Sequence, residues 1–168
     1  MHENDYNWRV SYSLILPISS FKLWSIISSP KNLENFHPFC KKNKTLKWPG
    51  LGSSDEIHYH NGDIYKRTFV KWINNVGYDL IIGKETYNQS FVKWRIKDMD
   101  TKSKLTISIY PYIFNMNSKL FDFFPFFIII KPSLNFYLKN IGKGLLFHVK
   151  TNKKVTKNQF GSHKWFSK

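Results

Sequence analysis

The sequence predicts an α+β fold in which a curved antiparallel sheet of seven strands wraps round one long C-terminal helix. Two short helices are expected after the first strand. After Pro132, apolar residues recur at steps of three and four, which keeps them on one face of a helix. Those residues are Leu134, Leu138, Ile141, Leu145 and Val149. Residues 6–114 instead have the pattern of strands and turns, and this order favours a helix packed within a sheet.

Length and composition favour one domain. The 168 residues are enough for a single hydrophobic core and few for two, so residues 1–168 are predicted to form one domain. Aromatic residues make up 18% of the chain, so rings should line the core and any cavity. The single cysteine, Cys40, cannot form an internal disulfide and fits a reducing, cytoplasmic compartment. The N-terminal residues lack the pattern of a signal peptide.

The net charge of +15 is unevenly distributed along the chain. Asp122 is the last acidic residue, and lysines alone carry the charge after it. They are Lys131, Lys139, Lys143, Lys150, Lys153, Lys154, Lys157, Lys164 and Lys168. This positive charge has three interpretations: it forms a solvated basic face, it is attracted to an anionic membrane surface, or it binds nucleic acid. Nucleic acid is not expected, because the chain lacks zinc-finger spacing, an aromatic RNA-binding signature and a helix-turn-helix pattern.

The front of the chain predicts one strand and two short helices. Alternating large residues place the strand at Tyr6–Leu16. A first helix follows at Phe21–Ser28, and Ser29-Pro30 predicts the start of a second. The second helix should end before His37, because a residue that precedes proline avoids helical dihedral angles.

Hairpin and turn signals predict six further strands. The strongest is Asn61-Gly62, a dipeptide typical of two-residue hairpin turns. Other turns are expected where glycine, asparagine or aspartate cluster between apolar runs. The predicted strands are Cys40–Trp48, Glu56–His60, Asp63–Ile73, Tyr78–Tyr87, Ser90–Lys97 and Leu105–Phe114.

Three segments resemble a known family. They are PISSFKLWSIISSPKNLENFHPF at 17–39, GDIYKRTFVKW at 62–72 and LKNIGKGLLFHVKTNKKVTKNQFGSHKWFS at 138–167. Together with the order of elements, they are similar to the START-like superfamily (SRPBCC), the polyketide cyclase/dehydrase and lipid-transport family. The resemblance implies a helix-grip fold with a cavity between the sheet and the closing helix. It does not distinguish lipid carriers, cyclases and hormone receptors.

Several residues are candidates for the cavity wall. Tyr65 and Arg67 share one strand face, although periodicity does not show whether that face points inward. If Arg67 is buried it needs a partner, which is either a ligand carboxylate or phosphate, or a structural pair with Glu56 or Asp63. The remaining alternative is that Arg67 is simply exposed. His37 is expected near the cavity entrance, where it could bind a ligand or act as acid or base. The predicted ligand-binding residues are Tyr12, His37, Tyr59, Arg67, Trp94, Ile109, Tyr112, Leu138 and Ile141.

Three functions remain open at this point. The leading prediction is binding of a hydrophobic or amphipathic small molecule, such as a lipid, an isoprenoid or a polyketide-like ring compound. A cyclase or dehydratase could use the same cavity, with His37, Arg67 or a tyrosine as acid or base. Two titratable groups within hydrogen-bonding reach would favour it. A membrane- or protein-docking module without ligand would instead have a filled core.

Residues 120–130, LFDFFPFFIII, are predicted to close the cavity mouth, to dock on a membrane, or to do both. The residues predicted to dock are Phe123, Phe124, Phe126 and Phe127. The uninterrupted apolar run within this segment is Phe123–Ile130. It is far shorter than the roughly 20 residues that a membrane-spanning helix needs.

Two smaller features are expected to be structural. His58 and His60 share a strand face with Glu56, but apolar residues form the other face, so the histidines should face solvent. No metal and no cofactor is therefore expected. Gly142 and Gly144 interrupt a helical pattern at some cost to helix stability. They are predicted to allow close packing or to leave room for a ligand.

Overall fold

A computed structural model describes residues 2–167, so Lys168 of the predicted basic run lies outside the described residues. Seven antiparallel strands form one sheet in the order β1-β7-β6-β5-β4-β3-β2. They are β1 (Val10–Leu16), β2 (Cys40–Lys47), β3 (Ser54–Tyr59), β4 (Ile64–Ile73), β5 (Gly77–Gly83), β6 (Ser90–Met99) and β7 (Lys102–Tyr110). The predicted count of seven strands is confirmed. Because β1 and β2 are the two edges, the chain between them crosses the whole sheet.

Two short helices make that crossing, as predicted: α1 (Ser20–Ile27) and α2 (Leu33–Phe36). The second begins later than Ser29-Pro30 indicated. Lys31 adopts a left-handed φ of 58°, which a right-handed helix cannot include. The helix ends before His37, whose dihedral angles are extended.

Strand bounds differ from the predicted ones mainly where the chain enters loops. The first strand begins at Val10, after a 3-10 turn at residues 3–5. The last strand ends at Tyr110, directly before a proline that lacks an N–H for the ladder. The third strand begins at Ser54, two residues earlier than predicted. This start determines which carboxylate lies opposite Arg67 in the sheet.

The long C-terminal helix is confirmed and is longer than the apolar pattern indicated. Helix α3 (Lys119–Pro125), a π-helical turn (Phe126–Ile130) and α4 (Lys131–Thr151) follow one another without a break. The predicted apolar face of α4 is buried from Leu134 to Leu145. The helix packs beside β1 and α2, so the predicted arrangement of sheet and closing helix is confirmed.

The core between sheet and helices is rich in aromatic rings, as the composition indicated. Residue alternation on β4 turns Arg67 and Phe69 inward, which answers the question that periodicity left open. The rings of Phe69, Trp72 and Tyr78 contact one another at centroid separations of 5.0–5.8 Å. Ring contacts at these separations add to the stabilisation from apolar burial.

The two glycines of α4 serve close packing and leave no room for a ligand. A Cβ atom on Gly144 would lie 2.0 Å from the carbonyl oxygen of Phe36 in α2. A Cβ atom on Gly142 would lie 2.5 Å from Cε1 of Tyr12 in β1. Both glycines therefore let α4 approach its neighbours more closely than any other residue would allow.

Candidate ligand-binding cavity

A cavity of about 240 Å³ lies between the inner face of the sheet and α4. Strands β3 to β7 form one wall, and the buried face of α4 forms the other. Eight of the residues predicted to bind a ligand line it: His37, Tyr59, Arg67, Trp94, Ile109, Tyr112, Leu138 and Ile141. Their contact with a ligand stays a prediction. The cavity is inconsistent with the filled core expected of a docking module that lacks a ligand.

Tyr12 does not line the cavity, so its assignment as a ligand-binding residue is wrong. Alternation along β1 turns its ring toward α4. However, β1 is the strand that α4 contacts directly, and the ring packs against Gly142. The helix therefore covers this part of the inner sheet face, and the open space lies over the other strands.

Tyr65 and Tyr137 also line the cavity, although they were not among the predicted ligand-binding residues. A signal for Tyr137 exists in the sequence. It lies three residues after Leu134 and four before Ile141, so it shares their helix face. Tyr65 lies on the same strand face as Arg67, so the inward orientation of Arg67 implies that Tyr65 also points inward.

Residues 152–167 form a C-terminal tail that closes one end of the cavity. The N–H of Val155 donates to the carbonyl oxygen of Asn35 at 3.1 Å, which ties the tail to the segment around α2. Trp165 and Phe166 line the cavity. The ring of Phe166 stacks on Tyr59 with centroids 4.5 Å apart. No periodic pattern marks these two residues, because the path of the tail depends on the folded surface beneath it.

A chain of hydrogen bonds joins three polar side chains of the cavity. His37 Nε2 lies 2.8 Å from Tyr137 Oη, which lies 3.1 Å from Tyr59 Oη. The N–H of Phe39 donates to His37 Nδ1 at 3.3 Å, so the proton of the neutral ring is assigned to Nε2, which donates to Tyr137. The bond between the tyrosines uses one of their two phenolic protons. The other has no acceptor among residues 2–167.

These three groups are uncharged near neutral pH. Burial lowers the pKa of His37 to about 3, and the charge of Arg67 acts in the same direction. Burial also raises the pKa values of Tyr59 and Tyr137 above the ordinary value for a phenol. His37 is 3% exposed and lies inside the cavity, so its expected place at the entrance is wrong. A histidine with this pKa does not act as an acid or base near pH 7.

Acidification from pH 7 to pH 5 is expected to lower the free energy of unfolding by about 2 kcal/mol through His37. The unfolded chain takes up this proton near pH 6.5, whereas the folded protein excludes it until about pH 3. The stability is therefore complete above pH 6.5 and is lost as the pH falls toward 3. Urea unfolding at both pH values measures the change.

The control for this pH effect is His37→Gln, whose amide can donate to Tyr137 without titrating. Burial also lowers the pKa values of His60 and His163, and those two histidines contribute equally in both proteins. The variant should lose less stability on acidification than the unaltered protein. Equal losses would contradict the assignment to His37.

The guanidinium of Arg67 is held by a carboxylate of the protein. Its Nε donates to Asp55 Oδ1 at 2.7 Å, and its Nη2 donates to Asp55 Oδ2 at 2.5 Å. Both side chains are buried, with exposures of 3% and 0%. Burial acts to lower the pKa of the Arg67 guanidinium. The charge of Asp55 and its hydrogen bonds have the larger combined effect and raise this pKa. Asn43 Nδ2 donates a further hydrogen bond to Asp55 at 2.9 Å.

The predicted partners of Arg67, Glu56 and Asp63, are wrong. Because β3 begins at Ser54, Asp55 lies directly opposite Arg67 in the β3–β4 ladder and shares its inward face. Glu56 points to the outer face, and Asp63 pairs with Lys84 at 2.8 Å. The positive charge in the cavity wall is therefore compensated before any ligand binds.

The histidine cluster on β3 lies on the outer face of the sheet. His58 Nε2 lies 3.1 Å from Glu56 Oε2, and both side chains are partly exposed. Within residues 2–167, no group of three or more His, Cys, Asp or Glu side chains is arranged to hold a metal ion.

The segment LFDFFPFFIII is helical and only partly buried. Phe126 is fully buried and packs on Trp8 with ring centroids 5.0 Å apart, so its assignment as a docking residue is wrong. Phe127 is half-buried. Phe123 and Phe124 are exposed. The one-sided burial follows from helical geometry, since adjacent residues point in different directions.

No protein-family model and no curated protein matches the chain. Solved structures do match it. A START superfamily protein from Mycobacterium smegmatis is 13% identical with a TM-score of 0.64, covering 86% of this chain and 99% of its own. The Aha1 dimer from Colwellia psychrerythraea is 10% identical with a TM-score of 0.62, covering 87% and 98%.

A third similar structure is the di-domain ARO/CYC BexL from the BE-7585A biosynthetic pathway. It is 5% identical with a TM-score of 0.66, and the match covers 84% of this chain but 47% of BexL. This chain thus spans about half of that protein. At such identities the three similarities concern the arrangement of sheet and helices, and the cavity residues must be interpreted from their own chemistry.

Proposed function

We propose that this chain, whose fold is the helix grip of the START-like superfamily (SRPBCC), binds a compact, uncharged molecule that is mostly hydrophobic and carries one hydrogen-bond acceptor. The observation that carries the proposal is the phenolic proton of the Tyr59–Tyr137 pair that has no acceptor in residues 2–167. Both tyrosines line a cavity with largely apolar and aromatic walls. Apolar walls supply affinity in such sites, and a few polar groups set the orientation.

The cavity volume limits the size of the ligand. Its 240 Å³ is slightly below the range of roughly 300–1,000 Å³ typical of small-molecule sites. An apolar cavity of roughly 150 Å³ is enough for benzene. One or two fused rings, or a short isoprenoid, match this space. A lipid with long acyl chains would require part of the wall to move.

The charges of the cavity favour an uncharged ligand. A ligand carboxylate or phosphate would pair with Arg67 in the cavity wall. However, Asp55 already accepts two hydrogen bonds from this guanidinium. A second carboxylate would have to be buried beside Asp55 without a free counter-charge. Burial of an uncompensated charge is costly, which supports a neutral acceptor such as a ketone, ester or hydroxyl oxygen.

Three probes of similar size test this ligand chemistry. Tetralone carries one ketone, tetralin lacks it, and 2-naphthoate carries a carboxylate instead. Tetralone is expected to bind about threefold to tenfold more tightly than tetralin, the effect of one net hydrogen bond. Naphthoate should bind most weakly at pH 7. Isothermal titration calorimetry measures the three affinities.

The variant for this test is the double replacement Tyr59→Phe/Tyr137→Phe. It removes both phenolic protons, and His37 Nε2 then faces the edge of the ring at position 137. Tetralone should lose its advantage, whereas the affinity for tetralin should stay within about twofold. Equal binding of tetralone and tetralin by the unaltered protein, or tightest binding of naphthoate, would refute the proposed ligand class.

The physiological ligand can be sought by native mass spectrometry of the purified protein, followed by extraction with organic solvent. An uncharged molecule with one carbonyl or hydroxyl oxygen would support the proposal. An acidic molecule in the cavity would contradict it. Repeated recovery of no hydrophobic species would leave the binding function without support.

A cyclase or dehydratase is the second candidate, and one observation favours it. His37 and Tyr137 are two titratable groups that face each other within hydrogen-bonding reach. Their pKa shifts keep the imidazole neutral and the phenol protonated. They are therefore suited to hold a carbonyl oxygen and poorly suited to remove a proton. A bound ring compound that loses one water during incubation would favour the enzyme, and an unchanged mass would favour binding.

A further inference from the structure

Residues 113–129, termed here the apolar segment, expose an unusual amount of hydrophobic surface. They hold nine of the nineteen large apolar side chains that are exposed within residues 2–167. Those nine are Ile113, Phe114, Met116, Leu120, Phe121, Phe123, Phe124, Ile128 and Ile129. Concentrated apolar exposure of this kind marks a surface that contacts something other than water.

The helical part of the apolar segment has one strongly exposed face. Leu120, Phe124 and Ile128 follow at intervals of four, which aligns them along the helix, and they are 77%, 67% and 69% exposed. Asp122, the acidic residue of the segment, points the other way. It is 3% exposed and accepts a hydrogen bond from the N–H of Asn117 at 2.9 Å. The exposed face is therefore apolar without a negative charge.

Positive charges flank this face. Lys119 precedes it and Lys131 follows it, and both are exposed. Nζ of Lys131 lies 4.8 Å from the centroid of the Phe127 ring. Two further exposed lysines, Lys139 and Lys143, follow on α4. An apolar helix face bordered by lysines, on a chain with a net charge of +15, is complementary to a bilayer that contains anionic lipids.

The apolar segment also adjoins the cavity. Ile113 belongs to both, because it lines the cavity and is 40% exposed. Ile130, the residue after the segment, lines the cavity from the helix side. A surface that covers the segment would therefore lie next to the part of the cavity wall that reaches solvent.

We infer that the apolar segment docks on an anionic membrane surface, with Leu120, Phe124 and Ile128 in the interfacial region and Lys119 and Lys131 at the lipid head groups. The chain then binds peripherally to a leaflet rich in anionic lipid, such as the cytoplasmic one. Lys119–Thr151 is long and apolar enough to cross a membrane by length and composition alone. From Leu134 to Leu145, however, its inner face is part of the protein core. This inference goes beyond ligand binding and does not depend on it.

Flotation with vesicles tests the docking surface with the full chain. The unaltered protein should float with phosphatidylcholine vesicles that contain phosphatidylserine, and less with phosphatidylcholine alone. Added salt should weaken flotation, because it screens the lysines. Phe124→Asp should lower the partition coefficient by about tenfold or more, since it replaces a ring that enters the interface with a charge. The matched control is Phe21→Asp on α1, where the replaced ring is 71% exposed, and its partition should be unchanged.

The far-UV circular dichroism spectrum and cooperative thermal unfolding verify that both variants are folded. Failure to float with anionic vesicles would overturn the inference, as would an equal loss in Phe21→Asp. Self-association that Phe124→Asp abolishes, in a protein that does not float, would show that the segment joins two copies instead. Resistance to extraction at alkaline pH would also overturn peripheral docking. Each of these results leaves the outcome of the tetralone experiment unaffected.

Discussion

Replacement of Asp55 by alanine is expected to lower the free energy of unfolding by about 3–5 kcal/mol, the cost of leaving one member of a buried ion pair without its partner. Both side chains of the Asp55–Arg67 pair are nearly inaccessible to solvent. The arginine would keep its charge in the cavity wall and lose both hydrogen bonds to the carboxylate. Denaturation by urea at pH 7 measures the effect.

The control for this prediction is the double variant Asp55→Leu/Arg67→Met, in which no charge remains buried. Apolar replacement of a whole buried pair is often neutral or stabilising, so the double variant should be more stable than Asp55→Ala. If the double variant is at least as unstable as Asp55→Ala, the cost does not come from the isolated charge. Asp55→Ala should also raise the affinity of the cavity for 2-naphthoate, because it frees Arg67 for a ligand carboxylate.

Phe126→Ala is expected to destabilise the protein by about 3–5 kcal/mol, although the residue lies within the apolar segment that is largely exposed. Phe126 is fully buried at the π-helical turn and contacts the ring of Trp8. Its removal would leave a cavity that the neighbouring rings cannot fill without moving. Thermal and chemical unfolding should report the loss.

Phe124→Ala is the matched control, two residues away and 67% exposed. Its free energy of unfolding should stay within about 0.5 kcal/mol of the unaltered value, as for most surface substitutions. Flotation with anionic vesicles should decrease in the same variant. Similar destabilisation by both substitutions would show that the helix at residues 119–130 is not anchored by Phe126 alone.

The fold could be predicted from the sequence because its patterns are strong and local. Alternation and turn dipeptides such as Asn61-Gly62 locate the strands, and the spacing of Leu134, Leu138 and Ile141 locates the closing helix. Element ends were predicted less well. The left-handed residue Lys31, which delays the second helix, carries no signature in its side chain.

The site was predictable only in part, because several of its features depend on contacts between distant residues. Eight of nine predicted residues line the cavity, since alternation and helical spacing identify inward faces. The prediction for Tyr12 was wrong because the sequence does not show which strand α4 contacts. The pairing of Arg67 with Asp55 depends on where β3 begins, and a shift of one residue turns every side chain to the other face. Phe166 was not predicted to line the cavity, because the tail that carries it there has no periodic sequence pattern.

The stacking of Phe166 on Tyr59 couples the size of the cavity to the order of the tail. The same tyrosine contacts the tail through its ring and the Tyr137 hydroxyl through its oxygen. A molecule larger than the present 240 Å³ requires part of the wall to move, and displacement of Phe166 from this ring is one way to provide the space. The range of ligand sizes that the cavity accepts is therefore expected to depend on the strength of this aromatic contact as well as on the rigid walls of the sheet.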